Sequence, residues 1–254
     1  MNSSHARLMV QHSATATGAG VRVALIDSGI NPRHPHVGAV TGGIAFFLAE
    51  DGTVQHADDY IDRRGHGTAL AGIVRAKAPG VKLYAVKIFR DPRTPNDTLV
   101  TSIAVLEAGL QWAIAQRMHI INLSLGTENP DHRDRLSALV QQAQAQGSLL
   151  VASSPPGRTD MLPAALPGVI SVAGDETCGW DDHRYIARDP VPFRAHPWPR
   201  PIPGVPQERN FHGHSCASAH LTAALARFAQ TATPLPLHEA LEHLRQTAKD
   251  NGLD

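Results

Sequence analysis

The sequence predicts a three-layer α/β fold in which helices cover both faces of a mostly parallel central sheet. Apolar, β-branched runs alternate with helical patterns from about residue 21 onward. The apolar runs are nearly continuous, which is typical of strands covered on both faces. The 254 residues are enough for one large domain. We therefore expect a single domain over 1–254, with 1–20 as a partly flexible N-terminal extension.

The individual elements follow from these patterns. The expected strands are VRVALI (21–26), KLYAVKI (82–88), HIINLSL (119–125), SLLVAS (148–153) and GVISVA (168–173). The expected helices cover 66–78, 97–116, 131–146, a segment that begins at Ser215, and an amphipathic segment at 237–248. A stretch rich in Pro, Arg and His, at about 175–212, is expected to be a surface excursion that returns the chain to the sheet.

Composition excludes several classes of function. Lys+Arg and Asp+Glu are balanced at 23 each, so no net field attracts nucleic acid or an anionic membrane. No stretch approaches the ~18 apolar residues that cross a bilayer, and the N-terminus lacks the apolar core of a signal peptide. Cys178 and Cys216 make a poor disulfide framework. We expect a cytoplasmic protein with no nucleic-acid partner and no membrane span.

Three short segments carry residues suited to chemistry. Asp27 ends an apolar run in ALIDSGI, His66 opens a helix in GHGTALAG, and Ser215 opens another in GHSCASAH. Each has an ordinary structural alternative, as a turn former, a helix start or a helix cap. In a parallel sheet, however, strand carboxyl ends and helix amino ends share one edge. The three side chains can therefore meet there.

Together these residue types are the set that acyl transfer requires. A serine hydroxyl attacks, an imidazole takes its proton, and a buried carboxylate stabilises the imidazolium. The helix that begins at Ser215 also directs backbone N–H groups toward developing negative charge. The combination favours a nucleophilic hydrolase.

Four segments, in this order along 21–230, resemble motifs of the subtilisin-like serine peptidase family, the subtilases. ALIDSGI resembles D-[ST]-G, GHGTALAG resembles H-G-T-x-x-A-G, INLSLG (121–126) resembles I-N-[ML]-S-[LF]-G, and GHSCASAHLTAALA resembles G-T-S-M-A-S-P-H-V-A-G-A. The resemblance implies a subtilisin-like fold and a catalytic triad of Asp27, His66 and Ser215. It also implies that Ser124, Leu125 and Gly126 bind the substrate backbone.

The oxyanion hole departs from the family pattern. Family members carry an Asn donor after the strand that reads SLLVAS here, and simple alignment places Pro155 at that position. Proline offers neither a side-chain donor nor a backbone N–H, and loss of such a donor costs about 10²–10³ in kcat. We expect the Ser215 backbone N–H to remain, with Ser153, Ser154 or His214 as a possible replacement donor. The alternative is that water fills the gap.

Other positions also differ from the family motifs. Ala219 replaces a usual proline, which is expected to relax the first turn of the helix and shift Ser215. Cys216 stands where Met is common and is expected to pack as a small hydrophobe. The DDYID stretch (58–62) has the charge to bind a cation, but a solvated acidic loop is the better interpretation. We expect no cofactor, no obligatory metal and no folding prodomain.

The first functional hypothesis is a serine endopeptidase that forms an acyl-enzyme on Ser215 and performs limited processing, such as leader removal, on one dedicated peptide or protein precursor. Small intracellular subtilisin-like proteins of maturation pathways, such as that of quinohemoprotein amine dehydrogenase, are similar in kind. The second hypothesis is a peptide-binding pseudoprotease or chaperone-like partner, which Pro155 favours. A weaker third is peptide ligation, because Ala219 alters the setting of the nucleophile.

Overall fold

The computed structural model describes residues 16–92, 94, 100–231 and 234–249. Its centre is a nine-stranded sheet with the order β3-β2-β4-β1-β5-β6-β7-β9-β8. The strands are β1 (Arg22–Asp27), β2 (Gly42–Leu48), β3 (Val54–Ala57), β4 (Lys82–Lys87), β5 (Ile120–Leu123), β6 (Leu149–Ser153), β7 (Val169–Gly174), β8 (His183–Tyr185) and β9 (Phe193–Ala195). The pairs β2–β3 and β8–β9, at the two sheet edges, are antiparallel, and the other neighbouring strands are parallel.

The helices form the two outer layers. They are α1 (His66–Lys77), α2 (Ile103–Ala115), α3 (Arg133–Ala145), α4 (His214–Ala229) and α5 (Leu237–Gln246). The core on one face of the sheet takes its side chains from α1, α4 and α5, and the core on the other face takes them from α2 and α3. The predicted α/β fold is thereby confirmed. Within the described residues, no helix is both long and apolar enough to cross a membrane.

The helix starts differ from the predicted boundaries at two places. Residues 100–102 belong to no helix or strand, and the predicted start of the second helix, at 97–99, lies outside the described residues. Ser102 caps α2 because its side chain accepts a hydrogen bond from the Val105 N–H at 3.3 Å. The nucleophile's helix begins one residue earlier than predicted, at His214.

The predicted N-terminal extension is described only from residue 16. There the Oε1 atom of Gln230 accepts hydrogen bonds from the backbone N–H of Thr17 at 2.8 Å and of Ala19 at 3.1 Å. The last part of the extension is therefore attached to the end of α4. Residues 1–15 lie outside the described part of the chain.

The stretch at 175–212 is more than a surface excursion. It contributes β8 and β9, which extend the sheet beyond β7. Phe193 of β9 is fully buried, and the buried Arg194 pairs with Asp189 at 2.5 Å. With three residues each, these strands are too short to give a periodic sequence signal.

Candidate active site

Asp27 and His66 meet at the carboxyl edge of the sheet. Asp27 is the last residue of β1 and is fully buried, and His66 is the first residue of α1. The Nδ1 atom of His66 lies 2.7 Å from Oδ1 of Asp27. Because a carboxylate oxygen accepts, Nδ1 carries the proton in the neutral imidazole and Nε2 is left as the basic nitrogen.

Glycines permit this close approach of strand and helix. A Cβ atom at Gly67 would lie 2.2 Å from the Gly29 carbonyl oxygen and 3.2 Å from Oδ1 of Asp27. The Gly67 N–H instead donates to the Ser28 hydroxyl at 2.9 Å. Gly29 itself has a φ of 102° and lies against the Tyr60 carbonyl. The H-G-T and D-S-G motifs thus have a steric basis in this structure.

Asp62 anchors the start of the histidine's helix. Its Oδ1 accepts from the backbone N–H of Arg64 at 2.8 Å and of Gly65 at 2.9 Å. Its Oδ2 accepts from the N–H and the hydroxyl of Thr68, at 2.9 and 2.6 Å. The expectation that 58–62 is a solvated acidic loop is therefore wrong for Asp62, which is buried. In the described part of the chain, no cluster of three or more His, Cys, Asp or Glu residues is arranged to hold a metal.

Electrostatics at His66 favour the imidazolium. Burial lowers the pKa of His66, but the charge and hydrogen bond of Asp27, together with the charge of Asp62, outweigh it, so that the pKa is raised above its ordinary value. The second oxygen of Asp27, Oδ2, is buried and has no hydrogen-bond partner among the described residues. The buried negative charge is thus held beside the imidazole.

Ser215 lies in the first turn of α4, a helix whose buried residues share one core with those of α1. Its hydroxyl donates to the carbonyl oxygen of Ser124 at 3.2 Å, and among the described residues it makes no hydrogen bond to His66. The Phe211 ring, four residues earlier, packs edge-on against the imidazole of His66 with ring centroids 5.4 Å apart. The structure therefore joins Asp27 and His66 directly and places Ser215 at the same edge without that last bond.

A chain of hydrogen bonds fixes the turn that carries Ser215. Asn122 Nδ2 donates to Ser124 Oγ at 2.8 Å. Ser124 Oγ in turn lies 2.9 Å from Ser218 Oγ. Ser218 Oγ donates to the Ser215 carbonyl at 2.8 Å. The Thr222 hydroxyl donates to Asn122 Oδ1 at 3.0 Å. Since Ser218 uses its proton on Ser215, Ser124 donates to Ser218. Sequence reasoning missed this network, although a buried Asn within the apolar strand β5 was a signal for it.

The predicted oxyanion-hole residues have different partners. Ser154 donates its hydroxyl to the Pro155 carbonyl at 3.2 Å, so it is engaged locally. Nδ1 of His214 accepts from the Gly174 N–H at 2.9 Å, which leaves the proton of the neutral ring on Nε2. Burial, with the charges of Arg194 and His212, lowers the pKa of His214 and keeps that ring neutral. In the described structure the Ser153 hydroxyl makes no hydrogen bond.

The segment after β5 has the properties of a peptide-binding edge. Within the described residues, the backbone groups of Leu125 and Gly126 make no backbone hydrogen bond, and Gly126 is exposed. A Cβ atom at Gly126 would lie 2.5 Å from Met161 Sδ, so this glycine lets the segment run close to its neighbour. An extended peptide can pair with such unpaired backbone groups.

The two cysteines are buried and free. Burial, together with the charge of Asp27, raises the pKa of the Cys216 thiol to about 12. Burial also raises the pKa of the Cys178 thiol to about 11. Both remain protonated near neutral pH and are poor nucleophiles. The expectation that Cys216 packs as a small hydrophobe agrees with its burial in the core that α4 shares with α1.

Comparisons with known proteins identify the family of the chain. The sequence model of the subtilase family (Peptidase_S8) matches residues 18–179. The chain is 36% identical over 172 residues to the minor extracellular protease Epr of Bacillus subtilis. This alignment covers 63% of this chain and 24% of that protein. It is 35% identical over 179 residues to a thermostable alkaline protease of Halalkalibacterium halodurans, covering 66% of this chain and 45% of that protein. The chain thus spans less than half of the length of either relative.

Solved structures show the same fold. A protease from Pseudoalteromonas arctica superposes with a TM-score of 0.71 at 19% identity, covering 95% of this chain and 87% of that one. A cold-adapted subtilisin-like serine proteinase also superposes with a TM-score of 0.71 at 19% identity, covering 94% and 86% of the two chains. These structures show the fold, and the match of the family model over residues 18–179 shows that the chain belongs to the subtilase family.

Proposed function

We propose that the chain is a serine endopeptidase with Asp27, His66 and Ser215 as its catalytic triad. The observation that carries the proposal is the 2.7 Å contact between His66 Nδ1 and the buried Asp27 Oδ1, at the edge where Ser215 lies in the first turn of α4. Ser215 Oγ attacks the peptide carbonyl carbon while its proton passes to Nε2 of His66. The imidazolium then protonates the leaving amine, and water activated by His66 hydrolyses the acyl-enzyme.

One rotation is required before this chemistry begins. The Ser215 hydroxyl donates to the Ser124 carbonyl at 3.2 Å and must turn about χ1 toward Nε2 of His66. A change between staggered rotamers is accessible to a serine on a fixed helix turn. Catalytic hydrogen bonds are often long or misdirected before substrate binds, so this geometry is compatible with an enzyme.

The oxyanion hole of this enzyme is proposed to be weak. The Ser215 backbone N–H, at the amino end of α4, is its first donor. Pro155 supplies no donor, and the Ser154 hydroxyl already donates to the Pro155 carbonyl oxygen. The Ser153 hydroxyl and the Nε2–H of His214 are both available as donors. We propose that one of these two groups replaces the missing oxyanion donor. Substrate is proposed to pair with Ser124, Leu125 and Gly126.

A weak oxyanion hole suits a slow and dedicated enzyme. We therefore propose limited processing of one peptide or protein precursor, such as removal of a leader, rather than general digestion. The two free, buried cysteines support a reducing location such as the cytoplasm, since they form no disulfide framework.

A second candidate is a peptide-binding pseudoprotease. Two observations favour it: Pro155 occupies the position of the family's oxyanion donor, and the Ser215 hydroxyl is bound to Ser124 rather than to His66. Such a protein would hold a peptide against Leu125 and Gly126 without cleaving it.

A fluorophosphonate probe separates the two candidates, because it reacts only with an activated serine. The endopeptidase proposal expects labelling at Ser215 in the wild type and none in the Ser215→Ala and His66→Ala variants. Absence of labelling in a folded wild-type sample, together with peptide binding, would favour the pseudoprotease instead.

A further inference from the structure

A cavity of about 160 Å³ opens beside the helix that carries His66. The first turn of α1 forms one wall, through Gly65, Thr68 and Ala69. The segment that follows β1 forms another, and residues 199–211 close the third side. None of the described residues that line it belongs to β5 or β6. The lining residues are therefore distinct from the proposed peptide-binding segment at Ser124–Gly126, and Phe211, which lines the cavity, also packs against the imidazole of His66.

Arg200 is the cation that faces this cavity. Its side chain is half-buried and, among the described residues, has no carboxylate within ion-pair distance. Within the part of the chain that the structure describes, its side chain makes one hydrogen bond, from Nη1 to the His36 carbonyl oxygen at a long 3.4 Å. A guanidinium carries five N–H donors, so most of its donors make no bond to these residues. A half-buried and largely unsatisfied guanidinium is a site for an anion with planar, paired oxygens.

Two histidines add polar groups to the same wall. Nδ1 of His34 accepts from the His36 N–H at 3.2 Å, so the ring proton lies on Nε2 and is available as a donor. The two rings contact edge to face with centroids 4.9 Å apart. Burial, followed by the charges of Arg200 and His34, lowers the pKa of His36. His36 is therefore neutral near pH 7, and any anion in the cavity is attracted by the charge of Arg200 rather than by that of His36.

The acidic residue on the cavity wall is already satisfied. Asp62 lines the cavity, but its two oxygens accept four hydrogen bonds from Arg64, Gly65 and Thr68. These four donors use the lone pairs of the carboxylate, so Asp62 offers none to a cation, and Arg200 has no ion pair with it. Ile202 and Phe211 form an apolar part of the wall, with 36% and 38% of their surface exposed. The cavity thus combines apolar contact for a short hydrocarbon stem with a cation for its end.

We propose that this cavity binds a carboxylate of the peptide substrate, on the side of His66 that Phe211 contacts and outside the Ser124–Gly126 segment, with Arg200 as the group that recognises it. The inference rests on the proposed peptidase function and adds a substrate class to it: a peptide with an acidic group beyond the scissile bond. The carboxylate belongs either to an Asp or Glu side chain or to the C-terminus of the peptide. Both sources share the chemistry that Arg200 recognises.

Binding is tested first without catalysis. In the Ser215→Ala variant, the imidazole signals of His34 and His36 are followed by NMR during titration with N-acetylglutamate α-amide, and with N-acetylglutamine amide as the neutral match. N-acetylglycine and N-acetylglycine amide test a terminal carboxylate in the same way. We expect saturable shifts with at least one carboxylate and none with the amides. Equal shifts with carboxylates and amides would overturn the proposal.

Variants assign the recognition to Arg200. Arg200→Gln is expected to weaken carboxylate binding about tenfold or more, as loss of a charge-assisted hydrogen bond does. Arg200→Lys should retain part of the binding, because it keeps the positive charge. Thermal unfolding of both variants checks that the loss in Arg200→Gln does not come from a folding defect. Arg209→Gln is the matched control, because Arg209 is exposed and does not line the cavity. Unchanged affinity in folded Arg200→Gln contradicts the proposal.

The consequence for cleavage is measured on paired peptides. Internally quenched peptides that differ only by Glu or Gln after the scissile bond, or by a free or amidated C-terminus, are compared by kcat/KM. The acidic member should be preferred about tenfold, and Arg200→Gln should abolish that preference. Fluorophosphonate labelling of the same samples separates the two claims. Labelling without carboxylate preference refutes the cavity assignment, and carboxylate binding without labelling refutes the peptidase assignment alone.

Discussion

Asp62 binds Thr68 through two hydrogen bonds, with one oxygen accepting the backbone N–H at 2.9 Å and the hydroxyl at 2.6 Å. The other oxygen accepts the N–H groups of Arg64 and Gly65. One buried carboxylate therefore closes the turn that precedes His66 and adds negative charge near its ring. The orientation of the proposed base therefore depends on Asp62 as well as on Asp27.

Replacing Asp62 with Asn is predicted to change the pH profile. The charge of Asp62 raises the pKa of His66, so its removal lowers that pKa and moves the acidic limb of kcat/KM to lower pH. Loss of hydrogen bonds to a buried acceptor should also cost about 1–3 kcal/mol of stability. Asp59→Asn is the control, since Asp59 is exposed and pairs with Arg63. An acidic limb that stays in place in Asp62→Asn would show that Asp62 only shapes the turn.

Ser218→Ala is predicted to loosen the turn that carries Ser215. Ser218 is fully buried and links Ser124 Oγ to the Ser215 carbonyl, so the variant leaves the Ser124 hydroxyl poorly paired. We expect a loss of about 1–3 kcal/mol in the free energy of unfolding by urea, with a several-fold fall in kcat. Thr231→Ala, at the exposed end of the same helix region, should change stability by less than about 0.5 kcal/mol. Similar effects of both variants would argue against the network.

Pro155→Asn is predicted to raise turnover. An Asn at this position offers the side-chain donor that the family pattern places in the oxyanion hole, and one such donor is worth up to about 10²–10³ in kcat. The measurement is kcat on a small ester, with binding monitored separately. Pro156→Asn, one residue further and exposed, is the control. An unchanged or lower kcat in Pro155→Asn would indicate that another group, such as Ser153 or His214, already serves as the donor.

Acid should destabilise the protein through His220. Burial, and then the charge of Lys77, lowers the pKa of this histidine to about 3, against an ordinary value of 6.5. Below pH 6.5 the unfolded chain binds a proton that the folded chain refuses, so stability falls as the pH drops from 6.5 toward 3. The loss reaches at most about 1.4 kcal/mol per pH unit for one such group.

The check on this prediction is urea unfolding between pH 7 and pH 4. His220→Gln should flatten the pH dependence, because its side chain does not titrate. His238→Gln is the control, since His238 is 83% exposed. A dependence that is equally steep in the wild type and in His220→Gln would assign the acid sensitivity to other groups.

The sequence predicted the central fold well because its strands are apolar on both faces. The runs at 21–26, 82–88, 119–125, 148–153 and 168–173 all correspond to strands of the sheet within two residues at either end. By contrast, β8 and β9 have three residues each and lie among prolines, so they carry no periodic pattern. The edge strand β3 and its neighbour β2 were also missed; most of their residues are partly or fully exposed, and β3 is only four residues long.

The site was predictable only where residue type dictates chemistry. The contact between Asp27 and His66 follows from motifs at a strand end and a helix start. The roles of Asp62 and Ser218 do not, because their importance comes from burial and from partners distant in sequence. The partner of the Ser215 hydroxyl depends on a rotamer, which no sequence pattern specifies.

The most direct test of the account is the acyl-enzyme itself. The wild-type protein is mixed with an activated ester, quenched in acid within the burst phase, and measured by intact mass and peptide mapping. The account predicts one acyl group, located on Ser215, that forms with a burst, decays with turnover and is absent in His66→Ala. No adduct in the folded wild type, or an adduct on another residue such as Cys216, would contradict it.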